Sequence, residues 1–527
     1  MSSIWFSWRG VFVVLLLSSC VHHSDRNLAS SDTNNGVQKL IHITIVHTND
    51  CHGHAWPLKR KDGVTRGGFA AQSALIQKLR QEALQKGDVF LVLSAGDFNT
   101  GIPESDLIDA EPDIAAMNHI KYDALVIGNH EFDGGLTKLL NQLLLIRFPV
   151  LTANITFPGT EFSKVAPYLI TERKGVKIGI LGLTTDTLKH IILPSVAQKL
   201  EVQNAIEVAK KQIDPMKAKG AELLIALTHI GISSENGGQK RYIENDEVKL
   251  AKEVPALKLI VGGHSHTLLK EGMRVGDSLL AQAGDKGEYL GRVDITWDKE
   301  KQRVISSTAQ VIPVLPEQGE DTQVKKLFEK YEAKVSKILD EKLGSTQNEL
   351  DGERDSVRHK ETNFGNFITD VMRKVTKSDV ALFNGGGIRA SIPRGTIQLR
   401  DLMRALPFRN TLVTGFLTGK QLKEVIQTGI KHQFESGSFL QASGITVIIR
   451  GGDVVSLKVN GSALSEQRLY KVASNNFVYG GGDYLEIMTQ AKDIIDLGTP
   501  LDEVLAKYIR SHPVVYAKTD GRIKQEQ

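Results

Sequence analysis

Cysteine is nearly absent from this chain of 527 residues, which holds only Cys20 and Cys51. Two cysteines cannot build a disulfide framework, so stability must come from a packed core. A surplus of one charge is missing too: Lys plus Arg number 65 against 61 for Asp plus Glu, and no long basic run occurs. A groove driven by attraction to a phosphate backbone is thereby excluded, and no nucleic-acid partner is expected. Nor is there a short-period repeat or a low-complexity tract, and 41% hydrophobic against 24% charged residues is an ordinary globular balance. At this length the chain exceeds what one core usually holds, so two domains are expected.

Long apolar runs are also lacking. The run Gly10 to Leu17 follows Arg9 and is too short to cross a bilayer as a helix. Residues 1–19 read as an export signal that closes on Leu17-Ser18-Ser19-Cys20, a pattern that resembles the lipobox of bacterial lipoproteins, in which the Cys carries the lipid. Residues 20–40, rich in Ser, Asn and Asp, read as a flexible tether. The expected address is the periplasm or cell envelope, with membrane contact through lipid on Cys20 at the bacterial outer membrane.

What is present is a repeated construction. Ala124 to Gly128 is an apolar run of strand length, and Asn129, His130 and Asp133 follow where it stops. Ile41 to Val46 leads in the same way to Asp50 and His52, Val89 to Leu93 to Asp97, Leu223 to Leu227 to His229, and Leu259 to Val261 to His264 and His266. Helical patterns lie between, at Ala70 to Gln85, Leu136 to Arg147 and Gln203 to Lys219. Strands alternating with amphipathic helices predict an α/β domain over residues 41–320, with its site at the carboxyl ends of the strands. Val176 to Leu183 ends in Thr184-Thr-Asp186, so a polar strand end need not be a ligand. Asp321 to Leu343 carries apolar residues at Val324, Leu327, Phe328, Tyr331, Val335, Ile338 and Leu339 and reads as a linker helix. A second α/β domain is expected at 344–515, with loops of interest at Arg358 to Asn366, Asn384 to Arg389 and Asn476 to Asp483, and residues 516–527 are expected to be a tail.

Asp, His, Asp, Asn, His, His and His at strand ends form a mixed oxygen and nitrogen set that suits Zn, Mn, Fe or Co better than calcium. There are too many for one ion. Two ions bridged by a carboxylate can hold a phosphoryl group and activate a water, which points to phosphoester hydrolysis. Any one of these residues alone would read as structural; the joint pattern carries the argument. His42, His47, His119, His190 and Asp186 lack the strand-end context or a partner and are read as non-ligands, and His54 is left open. Alternation turns Cys51 away from Asp50 and His52, so it is read neither as nucleophile nor as ligand. Gly415 to Gln421 imitates a P-loop but is one residue short and lacks the Ser or Thr for magnesium.

Asp50-Cys-His52-Gly, Gly96-Asp97, Gly128-Asn129-His130-Glu131-Phe132-Asp133, Thr228-His229 and Gly262-Gly-His264-Ser-His266 together resemble the calcineurin-like metallophosphoesterase signature. With Asn384-Gly-Gly-Gly-Ile-Arg389 and the Asn476-Phe477 to Gly482-Asp483 stretch, the chain resembles the two-domain 5'-nucleotidase family, which includes periplasmic UDP-sugar hydrolases. The resemblance implies an N-terminal αββα sandwich and a C-terminal α/β nucleotide-binding domain. It implies two divalent ions, Zn, Mn or Co, one on Asp50, His52, Asp97 and His266 and the other on Asp97, Asn129, His229 and His264. His130 with Asp133 would be catalytic. Arg358, Asn384, Gly386, Arg389, Phe408, Phe477 and Asp483 would bind substrate, Phe408 and Phe477 by stacking on a base. The implied activity is removal of the 5'-phosphate from nucleotides. UDP-sugar or dinucleotide diphosphatase and 2',3'-cyclic phosphodiesterase activities rest on the same metal site. A silent nucleotide-binding lipoprotein would have lost a ligand or His130, and neither is missing. Nucleotides are the expected partners, and no protein partner is expected. Cys20→Ser should release an active protein from the membrane fraction, because acyl chains supply the membrane affinity. Retention of the variant with the membranes at the parent level overturns the lipobox reading.

Overall fold

Strands buried on both faces organise the N-terminal half. The computed structural model describes residues 40–60, 62–158, 164–236, 239–241 and 243–526; the export signal, Cys20 and the tether up to residue 39 lie outside them. A seven-stranded sheet runs in the order Arg303–Pro313, Tyr289–Asp298, Leu40–Thr48, Val89–Ser94, Ala124–Val126, Val150–Leu151 and Val165–Ala166. Leu40–Thr48 pairs parallel with Val89–Ser94 and antiparallel with Tyr289–Asp298. A six-stranded sheet follows the order Met273–Val275, Ser278–Ala281, Leu259–Val261, Leu223–His229, Val176–Thr184 and Tyr168–Arg173.

Ile43, Ile45, Leu91, Leu93 and Val126 from the first sheet share one core with Ile178, Ile180, Ile225, Leu227 and Val261 from the second. Alternate residues turn outward: Val46, Val92 and Leu125 meet Ile76, Met117 and Leu139 of covering helices, and Leu181, Leu224 and Ala226 meet Ile206, Ile213 and Leu250. The order helix, sheet, sheet, helix follows, and burial on both faces is why the strands are continuous apolar runs rather than alternating ones. Thr184 ends its strand as a structural group, its hydroxyl donating to the Ile127 carbonyl at 2.6 Å.

The C-terminal half is a second α/β body. Its five-stranded sheet runs Leu440–Ser443, Val380–Asn384, Leu469–Asn475, Thr411–Thr418, Lys492–Pro500. Helix Asn363–Thr376 lies in the core on one face, and helix Gly419–Lys431 in the core on the other. Between the halves stands helix Thr322–Leu339, whose N-cap Asp321 accepts from the Gln323 and Val324 amides. Val324 and Phe328 belong to the N-terminal core, whereas Val335 and Leu339 pack with Met403. Ile338, expected on the apolar face, is 56% exposed, because the buried stripe runs through 324, 328, 335 and 339.

Three sequence expectations are corrected. Arg358 to Asn366 is not one loop: Thr362 caps a helix by accepting from the Gly365 amide, and the helix begins at Asn363. Asn476–Tyr479 is a helical turn capped by Asn475. The supposed tail ends in a strand, Ile523–Glu526, which pairs parallel with Ile445–Arg450, while the Arg522 guanidinium binds Asp370 and Asp520. Among the described residues, no helix is long and apolar enough to cross a membrane.

The two N-terminal sheets approach closely where Gly182 meets Leu151: a Cβ on Gly182 would lie 2.4 Å from the Leu151 Cβ. Gly182→Ala should therefore push the sheets apart and cost about 1 to 3 kcal/mol, read as a lowered denaturation midpoint. An unchanged midpoint would mean that the interface is loosely packed.

Candidate active site

The site begins with a ladder that outlasts its strands. Beyond the parallel pairing, Ala95 N donates to Thr48 O (2.8 Å), Asp50 N to Gly96 O (3.0 Å), His52 N to Asp97 O (2.9 Å) and Gly53 N to Phe98 O (2.8 Å). Two strand-end loops are thereby zipped together, and Asp50, His52 and Asp97 become neighbours. Asp50, His52, Asp97, His264 and His266 all have positive φ, between 50° and 73°. That conformation is uncommon outside glycine, and a cluster of it marks strain held for a purpose.

The turned side chains converge. His52 Nε2 and His266 Nε2 are 3.0 Å apart, with Asp50 Oδ1 3.5 Å from His266 Nε2. Nearby, His229 Nε2 stands 3.0 Å from Asp97 Oδ2 and 3.2 Å from Asn129 Oδ1, and His264 Nδ1 is 2.9 Å from the same Asn129 oxygen. Asp50, His52 and His266 form one group able to hold an ion, and Asp97, His229 and His264 another. Lone-pair atoms facing one another inside the protein are a donor set for cations, so the residues fit divalent metal. Charge supports the fit. Burial, with Asp97 nearby, pushes the Asp50 carboxyl up to about 7, and burial together with His130 and His266 holds His52 well below its usual value. Burial works against protonation of His229 as well, but Asp97 outweighs it and lifts the ring to about 10. The pocket calls for positive charge.

His130 adjoins this set, and with His52 and Asp97 it forms a third group able to hold an ion. Its Nδ1 is 2.7 Å from Asp133 Oδ2, and its amide donates to Asp97 Oδ1 at 2.9 Å. Burial opposes a charge on the ring, yet Asp133 and Asp97 more than offset it and raise its pKa. On its outer face the ring stacks on Phe408, centroids 5.6 Å apart and planes 12° from parallel.

One cavity joins the two halves of the chain. Asp97, Asn129, His130, Asp133, His264 and His266 line it from one side and Arg358, Asn384, Gly386, Arg389, Phe408, Phe477 and Asp483 from the other. Asp50, His52 and His229 stand behind that lining, almost fully buried. Asn384 Nδ2 donates to Asp483 Oδ2 at 2.8 Å, and the Gly437 amide to Asp483 Oδ1 at 3.2 Å. Gly386 is required by close approach: a Cβ there would lie 2.8 Å from Gly437 Cα. The Arg389 guanidinium lies 5.6 Å from the centre of the Phe408 ring.

Several residues with a part in this geometry were not singled out from the sequence. Glu131 is buried, and its carboxylate accepts from the amides of Gly128 (2.7 Å), Asp97 (3.0 Å) and Phe98 (3.0 Å). Asn49 donates to Asp50 Oδ2 at 2.7 Å and braces the loop at Ala283 and Gly284. Asp285 Oδ2 and Arg354 Nη1 approach His266 Nδ1 at 3.2 and 3.3 Å, and Arg354 also lines the cavity. Their signal was faint: Glu131 lies inside a quoted motif, and Arg354 precedes Arg358 by one helical turn.

The residues read as non-ligands have other partners. His42 meets Thr296, His119 pairs with Asp321 at 2.8 Å, His190 with Glu486 at 3.2 Å, and Asp186 accepts from the Ala205 amide. His47 packs against Gly291, and burial pushes it down to about 4. His54 Nδ1 faces the Cys51 and His52 carbonyls, both at 3.0 Å, which makes it a brace for the loop. Burial raises the Cys51 thiol to about 12 and removes it as a nucleophile. Thr418 and Gln421 of the false P-loop form a helix capping box.

Histidines and carboxylates gathered at the strand ends of a two-sheet sandwich define a metal-dependent phosphoester hydrolase. Residues 43–268 match the family model for calcineurin-like phosphoesterases, and residues 342–490 that for the 5'-nucleotidase C-terminal domain. The chain belongs to the two-domain 5'-nucleotidase family. It is 32% identical over 510 residues to Protein UshA of Yersinia enterocolitica, covering 90% of this chain and 92% of the relative. It is 31% identical over 540 residues to a 5'-nucleotidase of Vibrio cholerae, with 96% and 97% covered. Among solved structures, a 5'-nucleotidase precursor from Thermus thermophilus superposes with a TM-score of 0.82 at 30% identity, covering 92% of this chain and 99% of that one.

Proposed function

We propose that this protein removes the 5'-phosphate of nucleoside monophosphates by direct attack of water on phosphorus. The observation that carries the reading is the single cavity lined by metal-capable side chains on one side and by arginines and aromatic rings on the other. Asp50, His52, Asp97 and His266 would hold one ion and Asp97, Asn129, His229 and His264 a second, with Zn, Mn or Co the ions that suit these ligands. Bound there, the ions lower the pKa of a water and neutralise charge on the phosphoryl group.

The chain's own residues divide the remaining work. Asp133 accepts from His130 Nδ1–H and favours the cationic ring, so Nε2–H can donate to the phosphoryl oxygens as they gain charge. As the water oxygen joins phosphorus, the bond to O5' breaks and a proton ends on the departing hydroxyl. Arg358, Arg389 and Arg354 grip the phosphate, Asn384 and Asp483 hold the ribose, Gly386 admits the ligand to the backbone, and Phe408 and Phe477 take the base. In this reading residues 41–320 carry the chemistry, 321–343 link, and the substrate-binding domain begins at 344. The protein is exported to the periplasm or cell envelope by residues 1–19 and anchored by lipid on Cys20.

The reading is tested by kcat/KM for AMP, UDP-glucose, a 2',3'-cyclic nucleotide and ATP, each with Zn, Mn and Co. AMP is expected to lead, and a preference of more than about tenfold for UDP-glucose or the cyclic nucleotide would replace the monoesterase reading with a diphosphatase or phosphodiesterase.

His130→Asn should lower kcat by roughly two to three orders of magnitude with metal content intact, as for the loss of one preorganised donor. Loss of an equivalent of metal would instead make His130 a ligand.

Phe408 stacks on His130, so Phe477 is the cleaner probe of base binding. Phe477→Ala is expected to cut kcat/KM for AMP by about ten- to a hundredfold, the scale of one lost base stack, and to change a small aryl phosphate by less than about fivefold. An equal loss on both substrates in a folded variant would make Phe477 a core residue.

A further inference from the structure

The lining of the cavity includes two residues that belong to neither the metal set nor the nucleotide loops. Ile191 and Leu193 come from the N-terminal half, at the end of the short helix Leu188–Ile191 and just beyond it, and both reach the cavity that Phe477 and Asp483 line from the C-terminal half. Their segment is fastened across the junction. The His190 ring stacks on Tyr484 at 4.5 Å and 17°, and His432 stacks on Tyr484 at 4.5 Å and 13°. Tyr484 is thus held between a ring from each half. Two hydrogen bonds flank the stack, His190 with Glu486 at 3.2 Å and His432 with Glu435 at 2.9 Å. Four residues before Tyr484, Gly480 lies against Pro194 so closely that a Cβ there would be 2.5 Å from the proline Cγ.

Tyr484 directly follows Asp483, and both have positive φ, 64° and 56°. A stack that fixes Tyr484 therefore fixes the turn that presents Asp483 to the cavity. The same contact holds the helix that carries Ile191 and leads to Leu193. We propose that Ile191 and Leu193 are specificity-determining residues, an apolar wall of the nucleoside pocket supplied by the metal-binding half and seated by the His190, Tyr484 and His432 stack. Apolar side chains beside an aromatic ring receive a flat base and leave a hydrated group unsatisfied, so the wall rewards substrates that carry a base. This inference rests on the nucleotidase reading above, since it names what completes the same pocket.

The experiment compares AMP with ribose 5-phosphate, which has the same phosphoester and sugar but no base. It begins with the parent: failure to hydrolyse AMP would remove the nucleotidase reading itself, and all later outcomes concern the wall and its stack. For Ile191→Ala with Leu193→Ala, for His190→Ala and for Tyr484→Ala, the ratio of kcat/KM for AMP to that for ribose 5-phosphate should fall by at least about tenfold, with melting temperature and metal content unchanged. The double variant His190→Ala with Tyr484→Ala should lose little more than the worse single variant, because stacked partners act as a unit. His190→Phe keeps a ring and gives up the hydrogen bond to Glu486, so it should hold the ratio within about threefold of the parent and keeps the test open if Tyr484→Ala fails to fold. An unchanged ratio in folded variants, or a loss in His190→Phe as large as in His190→Ala, would overturn the proposal.

Discussion

Asp97 is the constraint on which the rest of the site depends, because its polar groups tie its own strand end to three other loops. Its amide donates to Glu131, its carbonyl accepts from the His52 amide, Oδ1 accepts from the His130 amide, and Oδ2 faces His229 Nε2. Four strand ends are located by one buried residue. Burial alone would raise the pKa of such a carboxyl, but the His229 and His130 rings around it hold it well below the usual range, so it stays charged. A charged Asp97 keeps the cluster in demand of cations, and the hydrogen bonds to its other atoms keep the ligand-bearing loops where cations can be shared.

The second half of the chain answers with the opposite sign. Arg354 and Arg389 are half-buried in the cavity wall, and burial draws Arg354 down to about 10. Carboxylates across the cavity, among them Asp50, Asp97 and Asp285, offset only part of the desolvation, and both guanidinium groups stay below their usual value. A cavity with metal-seeking carboxylates on one wall and guanidinium groups on the other suits a dianion bridged to cations, which is the charge pattern of a phosphate ester at a metal centre. Glu104 draws the halves together elsewhere: its Oε1 accepts from Arg400 at 2.6 Å and from Arg404 at 2.8 Å, close to the linker helix.

Much of this was legible in the sequence, for a physical reason. Strands buried on both faces have to be continuous apolar runs, so the point where polarity returns marks the carboxyl end and the candidate ligand together. The α/β class and the convergence of the seven ligand candidates follow from that signal together with the helical patterns between the strands, whereas the sandwich itself was implied by the family resemblance. What could not be read acts through the backbone or across the junction. Glu131 serves three amides, Asn49 one carboxylate and two backbone groups, and neither role leaves a side-chain pattern. Asp285 and Arg354 meet at His266 from distant parts of the chain. Ile523 to Glu526 lacks the alternation of a strand because it joins an edge, and only its pairing with Ile445–Arg450 reveals it.

The strained turns explain why such a site needs this scaffold. Five of the seven metal-capable residues have positive φ. At roughly 1 to 2 kcal/mol each for a non-glycine residue, the set amounts to a sizeable fraction of a typical folding free energy. Strain of that size persists only where the surroundings over-determine the backbone. Here the over-determination is visible: the ladder from Thr48 to Phe98 fixes both Asp50 and His52, the Asp50 carboxylate receives the His264 amide with both oxygens at 3.0 Å, and the loops hang from strands with two buried faces. Relaxing any one turn would swing its side chain out of the cluster and strand a buried carboxylate. The thick sandwich is thus what holds the ligand atoms within hydrogen-bonding distance of one another, where cations can replace the shared protons.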